Sequence, residues 1–244
     1  MLLVPMVADI ARLTPSIRYI VPMSRARTLI GVVCATTLLL AVGCSANSMQ
    51  NRHIDISKIF SVKSTFSPDF KVVTTGPTAI DPRLLAPQKL PPGITLNPPD
   101  CARYATAQVL RPGMSGSMAS LAAQGENNRF TAVAVESSQP VAYDAVSDHC
   151  KHIAVTGRSL KGEIDAIDAP HINGAKTLGT HSVLDTTVAG QARSSESYNY
   201  TAYMGNHLVL VAANPVLVPN QSPAPLNVER ARRLLTDAVA AVRG

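Results

Sequence analysis

Tryptophan is absent from this sequence, aromatic residues make up 4% of it and charged residues 16%. That charge content lies below the globular average of about 25%, and 46% apolar residues exclude the disordered, highly charged class. Basic residues do not cluster. The only dense group is Arg230, Arg232 and Arg233 near the C-terminus, so a nucleic-acid partner is not expected. After residue 43 there is no GxSxG elbow, HExxH pair, Walker loop or GxGxxG turn. The common hydrolase, metalloprotease and nucleotide-binding chemistries therefore have no motif to rest on, and no cofactor is implied.

The one long uncharged run lies at the N-terminal end. Arg25 and Arg27 form a basic segment after Met23, and Leu29 to Val42 follows as 14 residues without a charge, closed by Gly43 and Cys44. The run falls short of the roughly 20 residues of a membrane span and has the layout of a secretory signal. Gly43 before Cys44 resembles a bacterial lipobox, in which the cysteine sulfur takes a diacylglycerol. Ala41 stands where such signals usually have leucine. The alternative is an ordinary cleaved signal with an incidental cysteine. Residues 1–22 fit neither scheme and read as an upstream extension, with Met23 as the start. The expected organisation is thus an extension over 1–22, a lipoprotein signal peptide over 23–43, a polar tether over 44–53 and one exported domain over 54–244. The first 43 residues hold four arginines and one aspartate, which leaves 18 basic against 15 acidic residues in the remainder.

Four cysteines occur, Cys34, Cys44, Cys101 and Cys150. Cys34 leaves with the signal and Cys44 is the lipidation candidate. Two remain, and in an oxidising compartment a Cys101–Cys150 disulfide is the economical reading. The competing reading is a metal site, because Asp148, His149, Cys150 and His152 are close in sequence. No second ligand pair at metal spacing accompanies them.

Ile54 to Phe66 reads as a short helix or ordered arm and Phe70 to Thr75 as a strand. Seven prolines between positions 77 and 99 leave room for little more than one helical turn over Asp81 to Ala86. Asn97-Pro98-Pro99 has the form of a helix start, predicting a helix from an Asn97 cap to about Leu110. Met118 to Gln124 and Arg129 to Ser137 flank a turn and predict a hairpin. Val141 to Cys150 is ambiguous and fits a short helix. Ile153 to Thr156 and Glu163 to Ala169 read as short strands. Leu178 to Val188, Ala192 to Tyr203 and Leu208 to Asn214 read as three strands joined by short turns, hence an antiparallel meander. Val228, Ala231, Leu234, Leu235, Ala238, Val239 and Val242 carry helical periodicity behind an Asn227 cap. The fold class expected is α+β: a twisted antiparallel sheet with a proline-started helix and a C-terminal amphipathic helix packed on it.

Few residues suggest a site. Tyr198, Tyr200 and Tyr203 form the one aromatic-rich stretch. Tyr198 and Tyr200 share a strand face and are the candidates to line a pocket, whereas Tyr203 points the other way. Glu163 and Asp165 alternate onto one strand face and are expected to face solvent.

At Pro98-Pro99-Asp100-Cys101-Ala102, at Cys150 and along Tyr198 to Pro215, the sequence resembles a group of mycobacterial cell-envelope lipoproteins over most of residues 50–243. More distantly it is similar to the extracellular sensor domain of a mycobacterial serine/threonine kinase. The resemblance implies a disulfide, a twisted antiparallel sheet with a cleft, an envelope location and binding rather than catalysis. It brings no active site to carry over. The kinase domain has more than one disulfide, and only one is possible here. Together these readings describe a lipoprotein on the outer face of the cell membrane, held by an N-terminal lipid, that binds a ligand or an envelope protein. Lipid carriage and an envelope hydrolase are the alternatives.

Overall fold

A computed structural model describes residues 54–85, 90, 92–106, 109–188, 191–217 and 223–244. Its strands are β1 (Lys71–Ala79), β2 (Thr95–Asn97), β3 (Gly116–Gly125), β4 (Asn128–Ser137), β5 (His152–Thr156), β6 (Leu160–Ile167), β7 (Lys176–Val188), β8 (Gln191–Met204) and β9 (His207–Pro215). They form one sheet in the order β1-β3-β4-β9-β8-β7-β6-β5-β2, antiparallel throughout. A 3-10 helix over Ile56–Thr65 precedes the sheet, and α1 (Pro82–Leu85) follows β1. A 3-10 turn at Pro99–Cys101 runs into α2 (Ala102–Ala105), another lies at Asp148–Cys150, and α3 (Val228–Arg243) comes last. The fold is α+β.

Turn chemistry sets the register. Between β3 and β4 only Glu126 and Asn127 turn the chain, both with positive φ (50° and 55°), as a two-residue hairpin needs. Gly125 beside them admits no side chain, because a Cβ there would meet the Phe70 ring at 2.7 Å. Phe70 stacks with Phe66 and Phe130 at centroid distances of 5.2 and 6.2 Å. The Asn128 side chain carries the turn onward to α3: its amide donates to the Glu126 carbonyl (2.8 Å) and its oxygen accepts from the Asn227 N–H (3.0 Å). Asn227 in turn caps α3 by accepting from the Arg230 N–H at 3.0 Å.

Side chains alternate across the sheet, and different elements cover its two faces. On one face α3 packs on β4, β8 and β9, and the Ile56–Thr65 helix packs on β3 and β4. This core holds Phe130, Ala132, Tyr200, Ala202, Val209 and Val211 against Leu234, Leu235 and Val239. The opposite face carries two separate apolar clusters. Met118, Val133, Val135, Tyr203 and Leu208 pack under Leu110, Met114 and Val141. Ile153, Val155, Ile164 and Leu184 pack under Leu96 and the Cys101–Cys150 pair.

Two expectations are corrected, and a third, the helix or arm after Ile54, is met. The helix expected from Asn97 to Leu110 is cut to α2, because Asn97 is the last residue of β2, paired with Ala154, and Pro98 stands at the N-cap with no side-chain cap. The Thr106 N–H then bonds back to Ala102 and Tyr104, ending α2. Val141 to Ser147 is not helical either, since the Val141 N–H donates to the Gly205 carbonyl at 2.9 Å and ties this loop to the β8–β9 turn. The segment after Asp55, read as a helix or arm, is a 3-10 helix. Asp55 caps it by accepting from the Ser57 N–H at 2.9 Å.

Leu235 is wholly buried under α3, and removing its side chain leaves a cavity in a packed core. Leu235→Ala is expected to lower the unfolding free energy by about 2–5 kcal/mol in urea denaturation. Arg233→Ala, on the exposed side of the same helix, is expected to stay within about 0.5 kcal/mol.

Candidate functional site

Between the two apolar clusters of the second face lies a cleft of about 350 Å³. Strand alternation builds its floor: Leu178 and Thr180 from β7, Asn199, Thr201 and Tyr203 from β8 and Leu210 from β9 all point the same way. Arg103 and Tyr104 of α2 form one wall, and the loops over 109–114 and 140–144 form the others. The floor offers hydroxyl and amide groups from Thr180, Asn199 and Thr201, and Leu178, Leu210 and Met114 supply the apolar surface. Small polar groups set among aliphatic side chains suit a small ligand with an apolar body and a few hydrogen-bonding groups. Neither His, Cys nor Ser is among the lining residues.

The mouth is held by polar clasps. The Arg103 guanidinium pairs with the Asp144 carboxylate and lies 5.1 Å from the Tyr104 ring centroid. The Tyr104 hydroxyl donates to the Ala145 carbonyl at 2.9 Å. Arg111 brings a second guanidinium to the lining. Tyr203 lies edge-on to Tyr143 with centroids 5.4 Å apart. Burial first of all, and then the neighbouring Tyr143, push the Tyr203 phenol up to about 12.

The wall carrying Arg103 and Tyr104 is a single four-residue helical turn. Such a turn does not persist without tertiary contacts. Immediately before it, Cys101 is disulfide-bonded to Cys150 with Cα atoms 5.5 Å apart, and both are buried. Beside the bridge, His149 and Asp100 are hydrogen-bonded at 2.8 Å, which holds the Asp100 carboxyl below its ordinary value. The bridge therefore fixes one wall of the cleft to the chain that enters β5.

Cys44 lies outside the described residues. Tyr198 and Tyr200 do not line the cleft. They face α3, where Tyr200 is fully buried and the Arg232 guanidinium lies 5.9 Å from its ring centroid. The one-residue phase of β8 explains this, because the residues beside them, Asn199, Thr201 and Tyr203, take the cleft face. The arginines of α3 are occupied too. Arg230 stacks over Phe70 at 4.9 Å, Arg232 donates to the Asp168 carbonyl and Arg233 pairs with Glu229 at 3.7 Å. Of the residues that sequence reasoning missed, Tyr203 left a signal in its parity, opposite to Tyr198 and Tyr200. Arg103 and Asp144, 41 positions apart, left none.

The model of a domain of unknown function, DUF5642, matches residues 55–243. A crystal structure of the Rv0999 ortholog from Mycobacterium smegmatis is 45% identical with a TM-score of 0.72, covering 79% of this chain and 98% of that one. The extracellular domain of PknH from Mycobacterium tuberculosis is matched at 13% identity and a TM-score of 0.34, over 78% of this chain and 93% of that domain. No curated protein matches. The expected resemblance to a mycobacterial family is met.

Two outcomes follow from the cleft. The unfolded-state phenol titrates near its ordinary value of about 10, below the folded value of about 12. Between these values the folded state binds more protons, so stability must fall as pH rises through the window. Tyr203→Phe is expected to reduce that loss, as read from urea midpoints below and within the window. Reduction of Cys101–Cys150, which closes 49 residues, is expected to cost roughly 4 kcal/mol of unfolding free energy. It should also raise amide exchange across 102–106 ahead of the β7–β9 meander.

Proposed function

The chain belongs to the DUF5642 family, and on that premise we propose that it is an exported lipoprotein, anchored by a lipid on Cys44 to the outer face of the cell membrane, whose cleft binds a small ligand without transforming it. The observation that carries the binding reading is the cleft itself: a mixed polar and apolar floor on rigid strands, whose one carboxylate, Asp144, is paired with Arg103. The export reading is supported by the basic and apolar run from Arg25 to Val42 that ends at Gly43 and Cys44. A lipoprotein's acyl chains satisfy the two-signal requirement for stable anchoring. Among the described residues no helix is long and apolar enough to cross a membrane. At about 350 Å³ the cleft is at the small end of ligand sites. A lipid carrier would ask for a larger and more apolar cavity.

Two experiments test the reading. Cys44→Ala is expected to move the protein from the membrane to the soluble fraction and to end labelled fatty-acid incorporation. Retention in the membrane with undiminished labelling would overturn the anchor. Native mass spectrometry of the protein purified from its own host is expected to show a bound small molecule that Thr180→Trp, filling the cleft floor, removes. An adduct that persists in this variant would place binding elsewhere.

A further inference from the structure

The sheet face that α3 covers extends beyond the helix. Directly paired residues on neighbouring strands point to the same side. The row His152 (β5), Asp165 (β6), His181 (β7) and Tyr198 (β8) therefore shares one face. Tyr198 packs against the core under α3, and His152 and Asp165, further out, are open to solvent. The adjacent row on this face places Glu163 on β6 beside Ala154 and Val183, with Glu196 on β8.

Three of these groups converge. One donor atom each from His152, Glu163 and Asp165 lie within 4.8 Å of one another, and His152 Nδ1 is 2.6 Å from an Asp165 carboxylate oxygen. Zinc-class ions bind imidazole nitrogen and carboxylate oxygen at roughly 2.0–2.2 Å in tetrahedral array, so neighbouring donors stand about 3.4 Å apart. Small rotations about these side chains bring all three to a common ion. The carboxylates at positions i and i+2 of one strand, with the imidazole on the next strand, are set by the sheet register and not by a loop, which fixes their spacing. The two carboxylates face one imidazole, and both act on it electrostatically. Next to it His181 is held by Glu196 at 3.0 Å and stacked on Tyr198 at 4.3 Å, which keeps a second imidazole beside Asp165.

We propose that His152, Glu163 and Asp165 form a binding site for a divalent transition-metal ion of the zinc class on the open face of β5 and β6. One nitrogen and two carboxylate oxygens leave at least one coordination position for water or for a group from a partner. The imidazole favours zinc, nickel or cobalt over magnesium and calcium, which take all-oxygen sites. The site is separate from the cleft, which lies on the opposite face. It is also separate from Cys101, His149 and Cys150, where the sulfurs are joined to each other and His149 is held by Asp100.

The test is isothermal titration of the protein, without a histidine tag, with zinc chloride and with magnesium chloride in metal-free buffer. One zinc ion per chain is expected, and no magnesium at the same concentrations. His152→Ala and Glu163→Gln are each expected to weaken zinc binding by at least about tenfold, by the scale of losses at metal sites. His171→Ala, an exposed histidine elsewhere, and Thr180→Trp, in the cleft, are expected to leave it unchanged. The Thr180→Trp arm keeps a failure of the cleft reading distinct from a failure of this one. Absence of stoichiometric zinc binding, equal affinity in His152→Ala and Glu163→Gln, or an equal loss in His171→Ala would each overturn the proposal.

Discussion

Much of the molecule turns on the two-residue period of β8. Along its 14 residues, Tyr198, Tyr200 and Ala202 enter the core under α3, and Asn199, Thr201 and Tyr203 form the floor of the cleft. A slip of one residue in this strand would put the tyrosines of one face into the other and destroy both surfaces at once. The register is secured from both sides: β7 pairs with β8 from Gln191 to Tyr203 and β9 from Tyr198 to Met204, and the Gly205-Asn206 turn allows no slack between β8 and β9. Burial on one face thus specifies the site on the other, since a strand locked by its core side chains has no freedom left to move its outward ones.

The coverings of the two faces are offset along the sheet, which accounts for where its open surfaces fall. The helices of the first face lie over β1, β3, β4, β8 and β9, and β6 joins their core only at Ile167. The row containing His152 and Asp165 is therefore left in water. On the second face the two apolar clusters sit under separate loops, and the cleft is the gap between them. Neither surface needs a dedicated insertion. Both result from coverings shorter than the sheet they cover.

Elements with strong local signals were legible in the sequence. The Val228–Val242 stripe, the paired strands around Glu126-Asn127 and the meander from Leu178 to Asn214 rest on periodicity and turn residues that act over a few positions. What was not legible depends on distant partners. Asn97-Pro98-Pro99 reads locally as a helix start, but the ladder between β2 and β5 claims Asn97 for a strand. The cleft needs Arg103 beside Asp144, and the histidine row needs His152 beside Asp165. In the linear sequence His152 belongs to the run Asp148 to His152 and draws attention to Cys150. The register moves it to β6 instead, and no pattern along one strand could have announced that.

The disulfide ties the cleft to the compartment in which it works. The α2 wall is one turn long, begins without a side-chain cap and covers Ile153 and Val155 mainly through Cys101 and its neighbours. A helix of this length contributes little of its own order. Its position rests on the Arg103–Asp144 pair, the Tyr104–Ala145 hydrogen bond and a covalent link that persists in oxidising surroundings and is lost in reducing ones. Without the bridge the sheet, whose ladder does not involve it, would stay, and Arg103 and Tyr104 would be held by their polar clasps alone. Under the proposed export, the oxidising compartment that keeps the bridge closed is also the one that keeps this wall of the cleft in place. A ligand that closes against Arg103 and Tyr104 would bind the oxidised wall more tightly than the reduced one. By linkage, it would also make the bridge harder to reduce.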